Sequence, residues 1–272
     1  MSERKHFPPD ALDLGLGLLS IGRVWGVGQN EPPSEQDAEE LLRRAIELDI
    51  TVFDTAPAYA TSEARLGRFL HGLGPVRRKD LVVMTKAGEH WDYARGTSYV
   101  DHSRDALRRS IDRSLELLGR IDVLQIHKAT RDVVRDAGVL AALEYARACG
   151  IATFGASVSD EASGVAALET GAYHALQFPL NIADPSLAPL LTVLEEAGGT
   201  AIVNRPFAMG GLLRSAADTG THARAAFRFL RQTMDRGVVL SGTGKAAHLA
   251  ENVAAFRTCE APEVRSERVR AP

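Results

Sequence analysis

The sequence predicts a single-domain α/β protein of the (β/α)8 TIM-barrel class. Eight short apolar segments alternate with longer amphipathic segments, and no low-complexity stretch or long linker interrupts them. This alternation favours a parallel sheet covered by helices. The chain has 272 residues, close to the length of about 250 that is typical of one such barrel. We therefore expect one domain over residues 1–272, with a core at about 11–258 and polar termini.

Strands and helices are predicted from different periodicities. The strand candidates are residues 13–19, 51–54, 81–86, 121–127, 151–157, 175–178, 200–204 and 238–242. Apolar residues at helical spacing fill the intervals, as in Leu107, Ile111 and Leu118. Gly119 follows that stripe, where a helix C-terminus favours the left-handed conformation that glycine adopts easily. Eight strand-then-helix units in a chain of this length fit a closed barrel better than an open sheet.

Composition excludes several classes of partner. With a net charge of −3 and 25% charged residues, the chain has no bulk positive charge for nucleic acid or anionic membranes. Apolar runs fall short of the roughly 20 residues that span a bilayer, and the N-terminus has no signal-peptide pattern, so we expect a cytoplasmic protein. Cys149 and Cys259 lack disulfide-framework and metal-ligand spacing, which predicts free thiols and no metal site. The oligomeric state is not predicted.

Polar residues stand at the ends of successive predicted strands. In a barrel of this class the loops after the strands converge on one face, where the chemistry takes place. Six strands end at or near a polar side chain: Asp54, Lys86, His127, Ser157, Gln177 and Asn204. Tyr59 follows Asp54 by five residues, on the next loop. We therefore expect these groups to meet at one rim.

Four of these residues predict carbonyl chemistry. A lysine at the end of a buried strand needs a counter-charge, which Asp54 on the neighbouring strand supplies for Lys86. An ammonium beside a phenol stabilises the phenolate, so we expect the Tyr59 pKa to fall below its usual value of about 10. Tyr59 would then protonate a developing alkoxide while His127 holds the carbonyl oxygen. None of these side chains supplies a hydride, so a redox cofactor is required.

A family resemblance rests on these residues and on their surroundings. The stretch FDTAPAYATSEARLG, residues 53–67, resembles the segment of aldo-keto reductases that runs from the second strand into the second helix. The order Asp54, Tyr59, Lys86 and His127 resembles the catalytic tetrad of that family, and the likeness extends from LGLGLLSIG to SGTGKAAHLAENVAAF. It implies that Tyr59 is the general acid or base, that Lys86 and Asp54 tune it, and that His127 orients the carbonyl. The implied substrate is a small aldehyde, ketone or sugar, or the corresponding alcohol.

The resemblance also implies NADP(H) as cofactor, with NAD(H) as the alternative. Ser157 and Gln177 match positions that bind the nicotinamide carboxamide, and NRPFAMGGLL resembles the loop over the pyrophosphate. SGTGKAAHLAEN resembles the turn and helix that receive the adenosine end, and such a turn offers free backbone N–H groups to phosphate. The complete predicted cofactor set is Gly22, Arg23, Asp54, Ser157, Gln177, Asn204, Arg205, Pro206, Gly211, Gly242, Thr243, Gly244, Lys245, His248, Glu251 and Asn252.

Aromatic residues near the rim predict a substrate pocket. Trp25 follows the first strand and Trp91 lies in the loop after the third, and with Tyr59 and His127 they form the predicted substrate set. Aromatic residues in long loops also serve as packing anchors, and both interpretations stay open.

Two residues depart from the family pattern. Members often have asparagine at the position of Val158 and an aromatic ring near that of Leu180. One carboxamide contact and the stacking surface are therefore not predicted in this chain.

Two other functions fit parts of the pattern. A regulatory protein on the same fold would bind the cofactor as a redox signal and turn over slowly. A barrel lyase would use Lys86 as a Schiff-base nucleophile, but that leaves Tyr59 unexplained. The four-residue constellation favours an NADP(H)-dependent oxidoreductase.

Overall fold

A computed structural model describes residues 7–25, 31–213 and 219–259. Eight parallel strands close into a barrel, which confirms the predicted (β/α)8 class. The barrel strands are β1 Leu12–Gly17, β2 Val52–Asp54, β3 Val82–Ala87, β6 Val123–Ile126, β7 Thr153–Ser157, β8 Ala175–Pro179, β9 Thr200–Asn204 and β10 Gly237–Gly242. Two further strands, β4 Glu89–Asp92 and β5 Thr97–Val100, form a separate sheet. Around the barrel the order is β1, β2, β3, β6, β7, β8, β9, β10, with β10 pairing to β1. All eight predicted strands are present, and the predicted polar ends fall mostly outside the described residues.

Helices follow the strands and cover the barrel. They are α1 Leu19–Gly22, α2 Glu35–Glu47, α3 Ser62–Gly72, α4 Gly74–Arg78, α5 Arg104–Leu118, α6 Arg131–Arg135, α7 Ala137–Ala148, α8 Glu161–Glu169, α9 Pro189–Glu196, α10 Thr219–Thr233 and α11 Ala246–Thr258, with short 3₁₀ segments at Pro57–Tyr59 and Ala208–Leu213. The predicted stripe of α5 is buried against the strands. Gly119 ends α5 in the left-handed conformation, with φ 71°, and its N–H donates to Leu115 O at 2.7 Å. The helical periodicity and the helix-ending glycine are thus confirmed.

The apolar core has two layers that determine where polar groups can lie. The outer layer packs the helices against the outer faces of the strands. The inner layer fills the barrel with Val52, Val82, Met84, Val123, Ala175, Ile202, Val238 and Leu240. Because this aliphatic layer fills the interior, ligands have access only at the rim formed by the strand ends and their loops.

An antiparallel hairpin stands where the sequence predicts a loop. Strands β4 and β5 pair Glu89 with Val100 and Trp91 with Ser98, outside the barrel sheet. At the turn, Asp92 Oδ1 accepts hydrogen bonds from the backbone N–H groups of Ala94, at 2.9 Å, and Arg95, at 3.1 Å. β4 packs against the 3₁₀ turn Pro57–Tyr59, so the hairpin borders the rim.

Two findings bear on the predicted environment of the chain. Cys149 and Cys259 are both free, which confirms the thiol prediction. Within residues 7–25, 31–213 and 219–259, no helix combines the length and apolarity that a membrane span requires.

Helices α3 and α5 pack closely at Gly67, and a substitution there tests this packing. A Cβ atom at Gly67 would lie 2.1 Å from the carbonyl oxygen of Leu117, whereas one at Gly72 would meet nothing within 4 Å. We expect Gly67→Ala to lower the free energy of unfolding by about 1–3 kcal/mol, because overpacking outweighs the gain in helix propensity. Gly72→Ala, the matched control on the same helix, should leave it unchanged or raise it by up to about 1 kcal/mol. Urea unfolding measures both, and equal effects would contradict the close packing.

Candidate active site

A buried ion pair lies at the ends of β2 and β3. Lys86 Nζ donates to Asp54 Oδ2 at 2.6 Å and to Thr55 O at 3.0 Å, and Gln125 Nε2 donates to Asp54 Oδ1 at 3.1 Å. Lys86 is 1% exposed and Asp54 is 3% exposed. Burial opposes the charge of Lys86, but Asp54 and, to a smaller extent, Tyr59 together outweigh it and hold the Lys86 pKa above its usual value. The lysine is therefore an ammonium ion, and Asp54 is the counter-charge that the sequence predicts.

Tyr59 sits on a turn that is tied to the first strand unit. Pro57 opens the 3₁₀ segment and Ala60 ends it with a left-handed φ of 51°. The Ser62 hydroxyl, at the start of α3, donates to Leu18 O at 2.9 Å and fixes the other side of the turn. This geometry brings the Tyr59 ring centroid to 4.9 Å from Lys86 Nζ.

Desolvation sets the acidity of Tyr59. It raises the Tyr59 pKa above 10, and the Lys86 ammonium, which acts in the opposite direction, offsets only part of the rise. The negative charge of Asp54 also raises this pKa. The sequence-based expectation of a lowered pKa is therefore wrong, because burial outweighs the neighbouring ammonium. At neutral pH Tyr59 is a phenol that can donate a proton.

His127 follows β6 and stands beside Tyr59. The two rings meet edge to face, with centroids 5.9 Å apart and an interplanar angle of 82°. Burial holds the His127 pKa well below its usual value, and the positive charges of Lys86, Lys128 and Arg23 lower it further. The imidazole is thus neutral.

Glu89 is a carboxylate of this site that the sequence analysis missed. It begins β4, is 7% exposed and lines the same cleft as Tyr59 and His127. Its Oε2 lies 3.1 Å from His127 Nδ1, without hydrogen-bond alignment, and its Oε1 accepts from Ser98 Oγ at 2.8 Å. Its position three residues after Lys86, next to a glycine, was the only local signal.

A cleft of about 1280 Å³ runs across the rim from these residues to α11. It exceeds the roughly 300–1000 Å³ of sites for drug-sized ligands, which suits an extended ligand. The predicted residues that line it are Arg23, Trp25, Asp54, Tyr59, His127, Ser157, Gln177, Asn204, Arg205, Pro206, Gly242, Thr243, Gly244, Lys245, His248, Glu251 and Asn252. Lys86 lies beneath the wall, covered by its partners.

Besides Lys86, three predicted site residues lie outside the cleft wall. Gly22 is buried against the Tyr59 turn, where an added Cβ would lie 1.7 Å from Tyr59 O, so its missing side chain serves packing. Gly211 is exposed on the 3₁₀ segment, where its neighbour Gly210 lines the cleft instead. The Trp91 ring stacks on Arg23, with 5.1 Å from Cζ to the ring centroid, which is the packing role that its loop position left open.

The end of the cleft at α11 fits a phosphate-bearing ligand. The turn Gly242–Gly244 leads into α11, and Lys245 at the N-cap makes no side-chain hydrogen bond to the helix. The N–H groups of the first turn therefore have no acceptor in the N-cap side chain, and they carry the positive end of the helix dipole. Lys245 and His248 are exposed on the same wall. Such a terminus is suited to bind an anion.

The middle of the cleft fits an amide-bearing ring. Asn204 Oδ1, at the end of β9, is buried and has no hydrogen-bond donor in the described part of the chain. Buried acceptors of this kind are normally paired, so a ligand N–H would satisfy it. Ser157 and Gln177 are register partners on β7 and β8 and face the cleft. Together with the α11 end, these groups fit a nicotinamide dinucleotide.

The two departures from the family pattern have different positions. Val158 lines the cleft without offering a hydrogen bond. Leu180 is fully buried in the core and does not line the cleft. The neighbouring residue Pro179 lines the cleft instead. Leu180 therefore provides no stacking surface.

Comparison with known proteins identifies the family. The sequence profile of the Aldo/keto reductase family matches residues 13–225. The chain belongs to the aldo/keto reductase family. It is therefore a member of a family of oxidoreductases, as the resemblance of residues 53–67 predicts.

Individual relatives match parts of the chain. L-galactose dehydrogenase of Arabidopsis thaliana is 39% identical over 118 residues, which cover 42% of this chain and 33% of that protein. The aldo-keto reductase YhdN of Bacillus subtilis is 28% identical over 189 residues, 64% of this chain and 51% of that protein. The chain thus matches about a third to a half of the length of these relatives. A solved Pseudomonas aeruginosa protein assigned to the aldo-keto reductases has a TM-score of 0.75 and 28% identity, and the match covers 90% of this chain and 89% of that one.

The neutral state of His127 predicts a pH dependence of stability. Its pKa in the folded protein lies below the unfolded value of about 6.5, so the unfolded chain binds the extra proton and stability falls as the pH drops below that value. One such group changes the free energy of unfolding by up to about 1.4 kcal/mol per pH unit. Between pH 7.5 and 5.5, the free energy of unfolding measured in urea should fall less in His127→Gln than in the parent protein. His71→Gln, at an exposed histidine of α3, should keep the parental difference. A His127 ring that protonates near pH 6.5 by NMR would refute the neutral assignment.

Proposed function

We propose that this aldo/keto reductase is an NADP(H)-dependent enzyme that reduces an aldehyde, ketone or sugar carbonyl, or oxidises the corresponding alcohol. The observation that carries the proposal is the Tyr59 phenol. Its ring centroid lies 4.9 Å from the buried Lys86 Nζ and its ring stands beside a neutral His127, on the wall of a cleft of about 1280 Å³. The name of the related L-galactose dehydrogenase supports a sugar or similar hydroxy-carbonyl compound.

Proton transfer is the task of Tyr59. A nicotinamide cofactor bound in the cleft would supply or accept the hydride at the carbonyl carbon. In reduction, Tyr59 Oη gives its proton to the carbonyl oxygen, and the phenolate that remains is stabilised by the Lys86 ammonium. Asp54 holds that ammonium in position through the 2.6 Å contact. In oxidation the proton moves back, and the raised Tyr59 pKa makes the phenolate scarce at neutral pH, so this direction gains from higher pH.

Substrate orientation falls to His127. Its Nδ1 makes no aligned hydrogen bond with Glu89, so the Nε2–H tautomer would donate a hydrogen bond to the substrate oxygen. A second positive charge beside Lys86 would be unfavourable, and the lowered His127 pKa avoids it. The neutral ring thus holds the oxygen next to the phenol without competing for its proton.

Cofactor binding is divided along the cleft. Asn204, Ser157 and Gln177 would bind the carboxamide of the nicotinamide. The first turn of α11, with Lys245 and His248, would bind the ribose 2′-phosphate that distinguishes NADP(H) from NAD(H). A phosphate with about −1.5 to −2 charges gains more from these groups than a ribose hydroxyl does.

The lyase alternative conflicts with the state of Lys86. A Schiff-base lysine must be a free amine, whereas Lys86 is an ammonium that donates to Asp54 and Thr55 and is covered by protein. A cofactor-sensing protein without turnover differs from the proposed enzyme in one measurable property, steady-state turnover with a panel of carbonyl compounds.

Removal of the Tyr59 hydroxyl tests the proposal. We expect Tyr59→Phe to keep cofactor affinity and to lose about 10²- to 10⁴-fold in kcat, the usual contribution of a general acid. Tyr93→Phe is the matched control, because Tyr93 is exposed and its hydroxyl donates to Ala60 O. Steady-state rates and NADPH fluorescence titration measure the two properties. A near-parental rate in Tyr59→Phe would refute the role, and binding without turnover in the parent protein would favour the cofactor-sensing function.

Cofactor preference is tested at Lys245. We expect Lys245→Ala to weaken NADPH binding by about 1.5–3 kcal/mol, because charge-assisted hydrogen bonds to the 2′-phosphate are lost, and to leave NADH binding nearly unchanged. Lys79→Ala, at an exposed lysine after α4, controls for overall charge. Fluorescence titration of both cofactors against all three proteins measures the effect. Equal weakening for the two cofactors, or a parental preference for NADH, would contradict the assignment.

A further inference from the structure

Arg23 lies in the cleft and contacts two tryptophan rings. Its Cζ lies 5.8 Å from the ring centroid of Trp25 and 5.1 Å from that of Trp91. The two rings cover the guanidinium by cation–π contact and fix its orientation. The contact with the rings leaves the N–H donors of the guanidinium available, because they lie along its edge and not on its faces.

The edge of this guanidinium has no acceptor among the residues that the structure describes. Arg23 Nε is buried and makes no hydrogen bond. No carboxylate of the described chain lies within 4.0 Å of the group, although Glu31, Asp37 and Glu40 also line the cleft. An arginine that is held in place, partly desolvated and left without an acceptor is prepared to bind an oxyanion.

Arg23 lies at the substrate end of the cleft. The preceding residue, Gly22, packs directly on the Tyr59 turn, and Thr61 Oγ1 donates to Gly22 O at 3.2 Å. Arg23 and Tyr59 both line the cleft, and the charge of Arg23 is among those that lower the His127 pKa. Arg23 is thus close to the reacting groups.

A second cation stands on the same part of the wall. Lys128 follows His127, is exposed and lines the cleft, and no ion pair involves it in the described part of the chain. Its φ of 52° is in the left-handed region, which a lysine seldom adopts. Glu89, the acidic group beside His127, lies 3.1 Å from His127 Nδ1 and forms no ion pair with Lys128.

We propose that the carbonyl substrate carries an oxyanion, a carboxylate or a phosphate, which Arg23 binds through its free edge with Lys128 as a second cation. This inference rests on the proposed carbonyl chemistry and narrows its substrate class. It also assigns Arg23 to the substrate, in place of the cofactor contact that the family resemblance implies. A guanidinium edge presents parallel N–H donors that match both kinds of oxyanion.

Matched substrates test the charge requirement. One pair is 4-carboxybenzaldehyde and its neutral methyl ester, and the other is glyceraldehyde 3-phosphate and glyceraldehyde. We expect kcat/KM to favour the anionic member of at least one pair by about 10- to 100-fold, mainly through KM, as charge-assisted hydrogen bonds would give. The pair with the larger ratio identifies carboxylate or phosphate as the preferred group.

Variants of Arg23 assign the preference to this residue. Arg23→Gln should reduce the anionic-to-neutral ratio to near one, and Arg23→Lys, which keeps the charge but loses the paired donors, should restore part of it. Arg43→Gln, at an exposed arginine of α2, should keep the parental ratio. Circular dichroism verifies that the variants are folded. A parental ratio near one, or a ratio that Arg23→Gln leaves intact, would overturn the inference while the proposed carbonyl reduction stands.

Direct binding separates this inference from the proposed function. If no carbonyl compound turns over with either cofactor, the proposed function fails. Calorimetry with 4-carboxybenzaldehyde and its ester then still measures oxyanion recognition. Binding of the carboxylate that Arg23→Gln weakens by about 10-fold or more would support the site, and equal binding of acid and ester would reject it.

Discussion

The buried ion pair between Lys86 and Asp54 is the interaction on which the site depends. The two charges end adjacent strands and are almost completely removed from water. Removal of one partner from such a pair leaves an uncompensated buried charge, at a cost of about 3–5 kcal/mol. Thr55 O and Gln125 Nε2 complete its hydrogen bonds, so parts of β2, β3 and β6 must hold their register for the pair to exist. The position of the ammonium, and with it the surroundings of Tyr59, is therefore a property of the closed barrel.

The same burial determines the protonation states around the pair. Desolvation disfavours a negative phenolate and a positive imidazolium alike, so it raises the Tyr59 pKa and lowers that of His127. The Lys86 ammonium opposes the first change and reinforces the second. At neutral pH the site therefore presents one neutral donor and one neutral ring above an internally neutralised ion pair. This combination suits proton donation to a carbonyl oxygen better than it suits proton removal from an alcohol.

Local sequence patterns predicted the barrel and most of the site, and the parts that they missed depend on contacts between distant segments. Aliphatic runs identified the eight strands, and the rule that strand ends share a rim brought Asp54, Lys86 and His127 together. The β4–β5 hairpin carries mostly polar residues without strict alternation, so Glu89 was assigned to a loop. The Tyr59 pKa depends on how much burial outweighs Lys86, and a sequence contains no measure of that balance. Gly22 owes its importance to the carbonyl oxygen of Tyr59, 37 residues later, and no local pattern reveals such an approach.

The distribution of the remaining charges explains how the proposed ligands would be oriented. Because Lys86 and Asp54 neutralise each other at 2.6 Å, the centre of the cleft exerts little net attraction on an anion. Cations without ion-pair partners in the described chain stand at both ends, Arg23 and Lys128 near the reacting rings and Lys245 at the α11 turn. A dinucleotide phosphate and a substrate oxyanion would therefore be drawn to opposite ends, which leaves the uncharged nicotinamide amide and the carbonyl group for the polar centre. If Asp54 were lost, the uncompensated Lys86 ammonium would compete with the ends for an anionic ligand. The neutrality of the buried pair thus serves orientation as well as stability.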